Sequence, residues 1–378
     1  MKLLLLSPYH GGSHQAWAEG YSRFSNHEIK MLKLPARFWK WRMHGAAITM
    51  ARRFIDADHK PDIIMTTDML DLTTFLSLTR TVSCHTPVVL YMHENQLTYP
   101  LPADKRSGPM RRQLGERDLH YAFINYASMM AADEVWFNSI YHLDSFFAAL
   151  LKFLKHFPEY NELGSVKKLN EKCQVVPVGI DLKRLDQGNL AKKGLFEDAP
   201  QPLILWNQRW EYDKNPEAFF SALETLAGEN IPFRVAICGQ QFGKQPAVFD
   251  KGLDQLGRRV YHFGYADPIS YARLLWESDI TVSTAYHEFF GISVLEAIYC
   301  HTFPILPARL SYPELLPFEF HHACLYRDSE DMVIRLRKAL LDIHETRQNA
   351  ADLSEYTAVY DWRNLAHKYD TRLANMII

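Results

Sequence analysis

The stretch Pro87-Val88-Val89-Leu90-Tyr91-Met92 is apolar at every position rather than at every second one. A strand of that kind has both faces buried, which is the setting of a parallel sheet covered by helices on each side. Similar short runs rich in branched residues predict strands at 2–7, 28–34, 61–67, 87–93, 134–138 and 174–178. Helical stretches are expected between them, near 14–25, 43–57, 71–80, 118–132 and 141–154. Residues 183–201, with Gly188, Asn189, Gly194 and Pro200, and with Pro202 just beyond, read as a linker. A second set follows: strands at 202–207, 233–238, 259–264, 280–284 and 302–306, with helices near 215–229, 268–278, 291–300 and 329–343.

Strand–helix alternation repeated in this way predicts the α/β class: two Rossmann-like, doubly wound domains facing each other across a cleft. The 378 residues suit two domains of about 150–200 residues each. The expected boundaries are 1–185 and 186–360, with a helix-compatible tail at 361–378 that could pack back across the first domain. Ligands of such sheets bind beyond the carboxyl ends of the strands, so the residues just after each strand carry the functional argument.

Four such segments stand out. After the strand at 280–284 comes His287-Glu288-Phe289-Phe290-Gly291-Ile292-Ser293-Val294-Leu295-Glu296, which opens a helix at or just after Gly291. A helix start offers unpaired N–H groups and a positive dipole end to a diphosphate. Phe290, Gly291 and Ile292 are therefore expected beside a donor, Glu288 facing a sugar hydroxyl and Glu296 accepting from ribose hydroxyls. After the strand at 202–207 comes Gln208-Arg209-Trp210-Glu211-Tyr212-Asp213-Lys214-Asn215-Pro216, where Arg209 and Lys214 can converge on one anion. Two fixed cations can offset the charge that develops on a leaving nucleoside diphosphate.

The other two segments lie in the first half. Gly11 and Gly12, in Tyr9-His10-Gly11-Gly12-Ser13-His14, let backbone approach a ligand closely, without forming a dinucleotide-binding fingerprint. The run His93-Glu94-Asn95-Gln96 clusters polar groups at the end of a buried strand, and His93 could bond a sugar hydroxyl or help deprotonate an acceptor.

Composition sets limits. The 42 basic and 44 acidic residues leave a formal charge of −2, so no global field draws nucleic acid, although one face can still be basic. Lys40, Arg42, Arg52, Arg53, Lys105, Arg106, Arg111 and Arg112 all fall in the first half. There Trp39 and Trp41 alternate with the cations as stacking faces. Five cysteines without Cys-x-x-Cys spacing argue for a reducing compartment and against structural zinc. No Asp-x-Asp follows a strand, so no metal site is expected. Met1 to Leu6 is too short for a leader or a membrane span, which predicts a cytoplasmic protein without stable membrane association.

Taken together, the Arg209…Lys214 and Glu288…Glu296 pairs resemble the donor motifs of the retaining GT-B glycosyltransferases related to glycogen and sucrose synthases. Phe137-Asn138-Ser139 and Val176-Pro177-Val178-Gly179-Ile180-Asp181 are similar to stretches of the same clan. The usual glycine before the arginine is replaced here by Gln208.

A narrower resemblance covers most of residues 1–180. Gly11-Gly12-Ser13-His14, Leu34-Pro35-Ala36-Arg37-Phe38-Trp39-Lys40-Trp41-Arg42, His93-Glu94-Asn95-Gln96-Leu97-Thr98-Tyr99-Pro100 and Glu116-Arg117-Asp118-Leu119 are similar to the tRNA-queuosine mannosyltransferase family. That resemblance implies mannose transfer from GDP-mannose to queuosine in the anticodon of tRNA-Asp. It further implies an acceptor-binding first domain and a nucleotide-sugar-binding second one, with retention of configuration, no cofactor and no obligate protein partner. On it, Ser13, His14, Lys40, Arg42, Glu94, Asn95, Gln96, Arg112, Asn138 and Ser139 become acceptor-binding candidates. Gly11, Gly12, Arg209, Lys214, Glu288, Phe290, Gly291, Ile292 and Glu296 become donor-binding candidates, and His93, Arg209, Lys214 and Glu288 catalytic ones. The alternatives are a lipid or cell-envelope glycan acceptor, a nucleotide-sugar epimerase, or a non-catalytic RNA-binding module on the same fold.

Overall fold

A computed structural model describes residues 1–57, 59–100, 119–191, 201–239 and 247–377. Arg112, with Lys105, Arg106, Arg111 and the Glu116-Arg117-Asp118 stretch, lies outside the described residues. The chain forms two compact units, one of Met1–Asp181 joined by Tyr360–Ile378, the other of Leu182–Val359.

The first unit is built on strands β1 (Lys2–His10), β2 (Glu28–Pro35), β3 (Ile63–Thr67), β4 (Val88–Met92), β5 (Glu134–Phe137) and β6 (Cys173–Val175). They form one sheet in the order β2-β1-β3-β4-β5-β6, and every neighbouring pair is parallel. The middle strands β3 and β4 are buried at all their positions, as continuous apolar runs require. Chain direction across the sheet reverses between β1 and β3, and a crevice opens at such a reversal beyond the strand ends.

The second unit contains β7 (Leu203–Trp206), β8 (Arg234–Cys238), β9 (Val260–Gly264), β10 (Ile280–Val282), β11 (Phe303–Pro307) and β12 (Leu325–Tyr326). Its sheet runs β12-β11-β10-β7-β8-β9, so its reversal lies between β7 and β10. The two-residue β12 has no counterpart in the sequence reading, because a run that short carries no periodicity.

The linker reading of residues 183–201 needs correction over its first half. Leu182–Ala191 is a 3₁₀ segment with Leu185 wholly buried, and the Trp276 indole donates to the Leu185 carbonyl at 2.8 Å. Gly188 marks close packing rather than looseness. A Cβ there would lie 2.4 Å from the Ala272 backbone.

The helix Trp362–Asn375 completes the first unit. Its cap, Asp361, accepts from the Arg363 N–H, and the backbone on either side bonds Ile180 in both directions at 2.8 and 3.0 Å. The Trp362 ring, 0% exposed, slots between two glycines. A Cβ on Gly20 would lie 2.1 Å from the ring and one on Gly179 2.3 Å from it. Further along, Asp370 accepts from the Tyr21 hydroxyl, the Ser25 hydroxyl and the Asn26 N–H at 2.8, 2.6 and 2.8 Å. Trp362→Ala should destabilise the first unit by about 3–5 kcal/mol, and Gly179→Ala by about 1–3 kcal/mol through overpacking. Thermal and urea unfolding followed in the first unit check both values.

Candidate active site

In the second unit the two segments flanking the sheet reversal are laced together. The Asn207 side chain, just past β7, donates to the Ser293 carbonyl in the first turn of the helix Ile292–Tyr299, at 2.9 Å. The Tyr286 N–H donates to the Asp213 carbonyl at 2.7 Å, and the Thr284 hydroxyl to the Lys214 carbonyl at 2.8 Å. Lys214 itself is buried. Its ammonium donates to the His287 carbonyl at 2.9 Å and to Glu288 Oε2 at 3.2 Å, with Asp213 Oδ2 at 3.4 Å. Burial raises the pKa of Glu288, but the Lys214 ammonium outweighs it and holds the carboxyl below its ordinary range. Burial, then the same ammonium, lowers His287 to about 4, so its ring is neutral.

Gly291 caps the helix with φ 112°, and a Cβ there would lie 2.9 Å from a Leu315 methyl. Both the dihedral and the contact demand glycine. Arg209 is half exposed, paired with Glu211 at 3.2 Å. Arg209, Lys214, Glu288 and Gly291 thus stand together around the ends of β7 and β10, with Phe290 and Ile292 on either side of the glycine. Glu296 is different: Arg184 donates to one of its oxygens and the Tyr271 hydroxyl to the other at 2.8 Å. Any ribose hydroxyl must use the remaining lone pairs of a carboxylate that is already held. Sequence pattern does not single out Arg184 or Tyr271. They come from segments 112 and 25 residues away, and no local pattern links them to Glu296.

The first unit gathers a second cluster. Gly11 follows β1 and caps the helix Gly12–Phe24, and the His14 ring in its first turn lies 4.4 Å from the His93 ring, which also meets Trp17 and Tyr91, each at 4.7 Å. Burial, then His10, lowers His14 to about 4; burial, then His14 and His142, lowers His93 well below its ordinary value. Both rings are neutral, as a proton acceptor or a hydroxyl partner must be. The His93 N–H donates to Asp68 Oδ1 at 2.8 Å and its carbonyl accepts from Asn138 at 3.0 Å. Asn95 folds its own loop, its Oδ1 accepting from the Leu97 and Thr98 N–H groups at 3.0 and 2.9 Å. Gln96 donates to Glu94 Oε1 at 3.1 Å. Ser139 caps the helix Ile140–Leu154 through the His142 N–H, while Ser13 and Gly12 are exposed. Asn138, Ser139 and Asn95 therefore have local structural work.

The helix Trp39–Asp56 presents its first turn to solvent. Phe38 is 79% exposed and Trp41 63% exposed, with Lys40 within cation–π range of Trp39 and Tyr121 at 5.7 and 5.4 Å. Arg42 donates to the Pro35 carbonyl at 3.2 Å. Trp39 instead packs with Met43, Met69 and Ile124. Among the described residues, no group of three or more His, Cys, Asp or Glu side chains is placed to hold a metal, and no helix is long and apolar enough to cross a membrane.

Comparison with known proteins adds the following. Residues 2–180 match the family model for the tRNA-queuosine alpha-mannosyltransferase N-terminal region, and residues 189–357 match that for glycosyl transferases group 1. A tRNA-queuosine alpha-mannosyltransferase of Drosophila melanogaster is 33% identical over 321 residues, 84% of this chain and 82% of that protein. Among solved structures, a sucrose-phosphate synthase of Thermosynechococcus elongatus matches with a TM-score of 0.73 at 14% identity, covering 100% of this chain and 99% of its own. Anabaena HepE in complex with UDP matches at 0.65 and 14% identity, covering 100% and 99%. At such identities the shared property is the fold, GT-B.

The neutral histidines make a pH prediction. His14 binds no proton in the fold above about pH 4 but does when unfolded below 6.5. Its contribution to stability is therefore complete above pH 6.5 and lost as pH falls toward 4. The stability difference between the unaltered protein and His14→Gln should shift by about 3 kcal/mol over that window. Urea titrations of both proteins at pH 7 and pH 4 measure it.

Proposed function

The chain belongs to the tRNA-queuosine alpha-mannosyltransferase family of glycosyltransferases, and from that premise we propose that it transfers mannose from GDP-mannose to queuosine in the anticodon of tRNA-Asp, in the cytoplasm. The observation that carries the reading is the grouping of Arg209, Lys214, Glu288 and the Gly291 helix start at the sheet reversal of the second unit. Cations and unpaired N–H groups suit a diphosphate, and an ionised carboxylate beside them suits sugar hydroxyls.

In this scheme the donor diphosphate lies across the start of the helix Ile292–Tyr299. Lys214 already faces Asp213 and Glu288. Arg209 and the backbone at Gly291 therefore supply most of the positive charge that meets the leaving group. Lys214 fixes Glu288 as an ionised acceptor for the mannose hydroxyls. Glu296, held by Arg184 and Tyr271, receives the ribose.

The acceptor hydroxyl oxygen bonds to the anomeric carbon as the bond from that carbon to the diphosphate breaks. The departing diphosphate oxygen takes the hydroxyl proton. Attack from the face that the leaving group vacates retains configuration and needs no covalent carboxylate, unlike a retaining glycosidase with its close carboxyl pair. Neutral His93 positions the sugar or the acceptor. The exposed Phe38–Arg42 turn offers cations and a stacking ring to RNA.

Incubating the protein with GDP-mannose and queuosine-containing tRNA should add one hexose mass to that tRNA and none to unmodified tRNA. Arg209→Ala should lower kcat by about 10²–10³-fold at saturating donor, the cost of losing one preorganised charge partner. Near-normal transfer by Arg209→Ala or Glu288→Gln at saturating donor would refute the donor arrangement. The triple substitution of Lys40, Trp41 and Arg42 by Ala should raise KM for tRNA about tenfold or more and leave KM for the donor unchanged. Steady-state kinetics on each substrate separate the two.

A further inference from the structure

A ribose hydroxyl carries one donor hydrogen and two acceptor lone pairs, so a carboxylate satisfies it only in part. The surroundings of Glu296 hold a donor for the remainder. Glu296 stands in the second turn of the helix Ile292–Tyr299, five residues past Gly291, or about 7.5 Å along the axis. Its Oε2 accepts from the Tyr271 hydroxyl at 2.8 Å, and its Oε1 accepts from Arg184 Nη2.

The two donors are not equivalent. Tyr271 has no hydrogen left to offer: its one hydrogen goes to Glu296, and its oxygen accepts from Asn207 Nδ2 at 3.2 Å. Burial, then the Glu296 carboxylate, raises this hydroxyl well above its ordinary value, so it stays protonated and donating. Asn207 is fixed in turn to the Ser293 carbonyl at 2.9 Å. This chain of bonds orients the carboxylate.

Arg184 is different. A guanidinium has five N–H donors in a planar fork. Among the described residues, Glu296 is the hydrogen-bond and ion-pair partner of Arg184, with no other. The Arg184 side chain is 41% exposed, against 7% for that of Glu296, so the carboxylate meets solvent alongside unused N–H groups.

The ion pair is not what fastens the Arg184 segment. Leu182–Ala191 is held to the helices Pro268–Glu277 and Ile292–Tyr299 by other contacts. The Trp276 indole donates to the Leu185 carbonyl at 2.8 Å, the Tyr299 hydroxyl donates to Asp186 at 2.7 Å, and Gly188 lies against the Ala272 backbone. A partly exposed ion pair adds little to such a framework. A charged acceptor beside a charged donor with N–H groups to spare is, however, complementary to a hydroxyl in both of its capacities.

We propose that Arg184 is a specificity-determining residue for the donor: the ribose hydroxyl that donates to Glu296 accepts from a second N–H of the Arg184 guanidinium. Tyr271 is the positioning residue that turns the carboxylate toward that hydroxyl. This assignment rests on the donor reading given above, in which Glu296 receives the ribose. It makes the pair a reader of ribose, because a deoxynucleotide forfeits bonds to two charged groups at once.

The test titrates GDP, 2′-deoxy-GDP and 3′-deoxy-GDP into the full-length protein by calorimetry. The unaltered protein should bind one of the two deoxynucleotides at least about thirtyfold more weakly than GDP, the loss expected for hydrogen bonds to charged groups. In Arg184→Ala that ratio should fall at least about fivefold, because one of the two bonds is already gone. A purely structural Arg184 would weaken all three nucleotides alike and leave the ratio intact. A second measurement needs no variant. Phenylglyoxal modifies accessible guanidinium groups, and saturating GDP should abolish its reaction at Arg184, followed by peptide mass mapping. Ratios unchanged in Arg184→Ala for both deoxynucleotides, or undiminished modification of Arg184 under saturating GDP, overturn the assignment alone. Equal affinity of the unaltered protein for all three nucleotides removes the ribose from Glu296 and the assignment with it. Absence of GDP binding to the unaltered protein overturns the donor reading itself.

Discussion

The first unit is held shut by its last helix. The chain leaves that unit after Asp181, forms the whole of the second, and returns at Tyr360. The exit and re-entry points are bonded to each other through Ile180, Tyr360 and Trp362, and Arg363 donates to Asp181 at 2.8 Å. Trp362 then fills the slot between Gly20 and Gly179, and Tyr369 donates to the Pro177 carbonyl at 2.8 Å while its ring meets those of Tyr91 and Trp136. Tyr91 and Trp17, which this helix buttresses, also flank His93. The geometry of the His14–His93 cluster therefore depends on a segment nearly three hundred residues away in sequence.

Strand order assigns the chemistry in both units. Each sheet reverses direction once, between β1 and β3 in one and between β7 and β10 in the other. The unpaired and charged groups collect at those reversals. In the second unit they are cations beside an ionised carboxylate, suited to a charged leaving group. In the first they are the neutral imidazoles of His14 and His93 beside the buried Asp68 carboxyl. The same architecture carries two different electrostatic environments because only the residues after the strands differ.

Much of this was legible in the residues, for physical reasons that also mark where legibility stops. Runs such as Val88–Met92 announce buried parallel strands because no polar side chain interrupts them. Glu288 and Gly291 stood out because a helix start after a strand has few other uses for that pairing. Arg184 and Tyr271 did not, since their hold on Glu296 is made entirely by the fold. Gly188 belongs to a stretch whose composition predicts a linker, whereas it marks the place where two backbones nearly touch.

The divided first unit also sets an order of biosynthesis. Translation runs from the amino end, so Leu182–Val359 must be made before Trp362 exists to enter its slot. At 5–20 residues per second that interval lasts roughly 10–40 s, during which the slot lined by Gly20 and Gly179 and the rings of Trp17, Tyr21 and Tyr91 await their cover. The second unit is complete in sequence before the first can close. A nascent chain thus holds its second unit ready while the first is still open, and a chain interrupted before Trp362 carries one finished half.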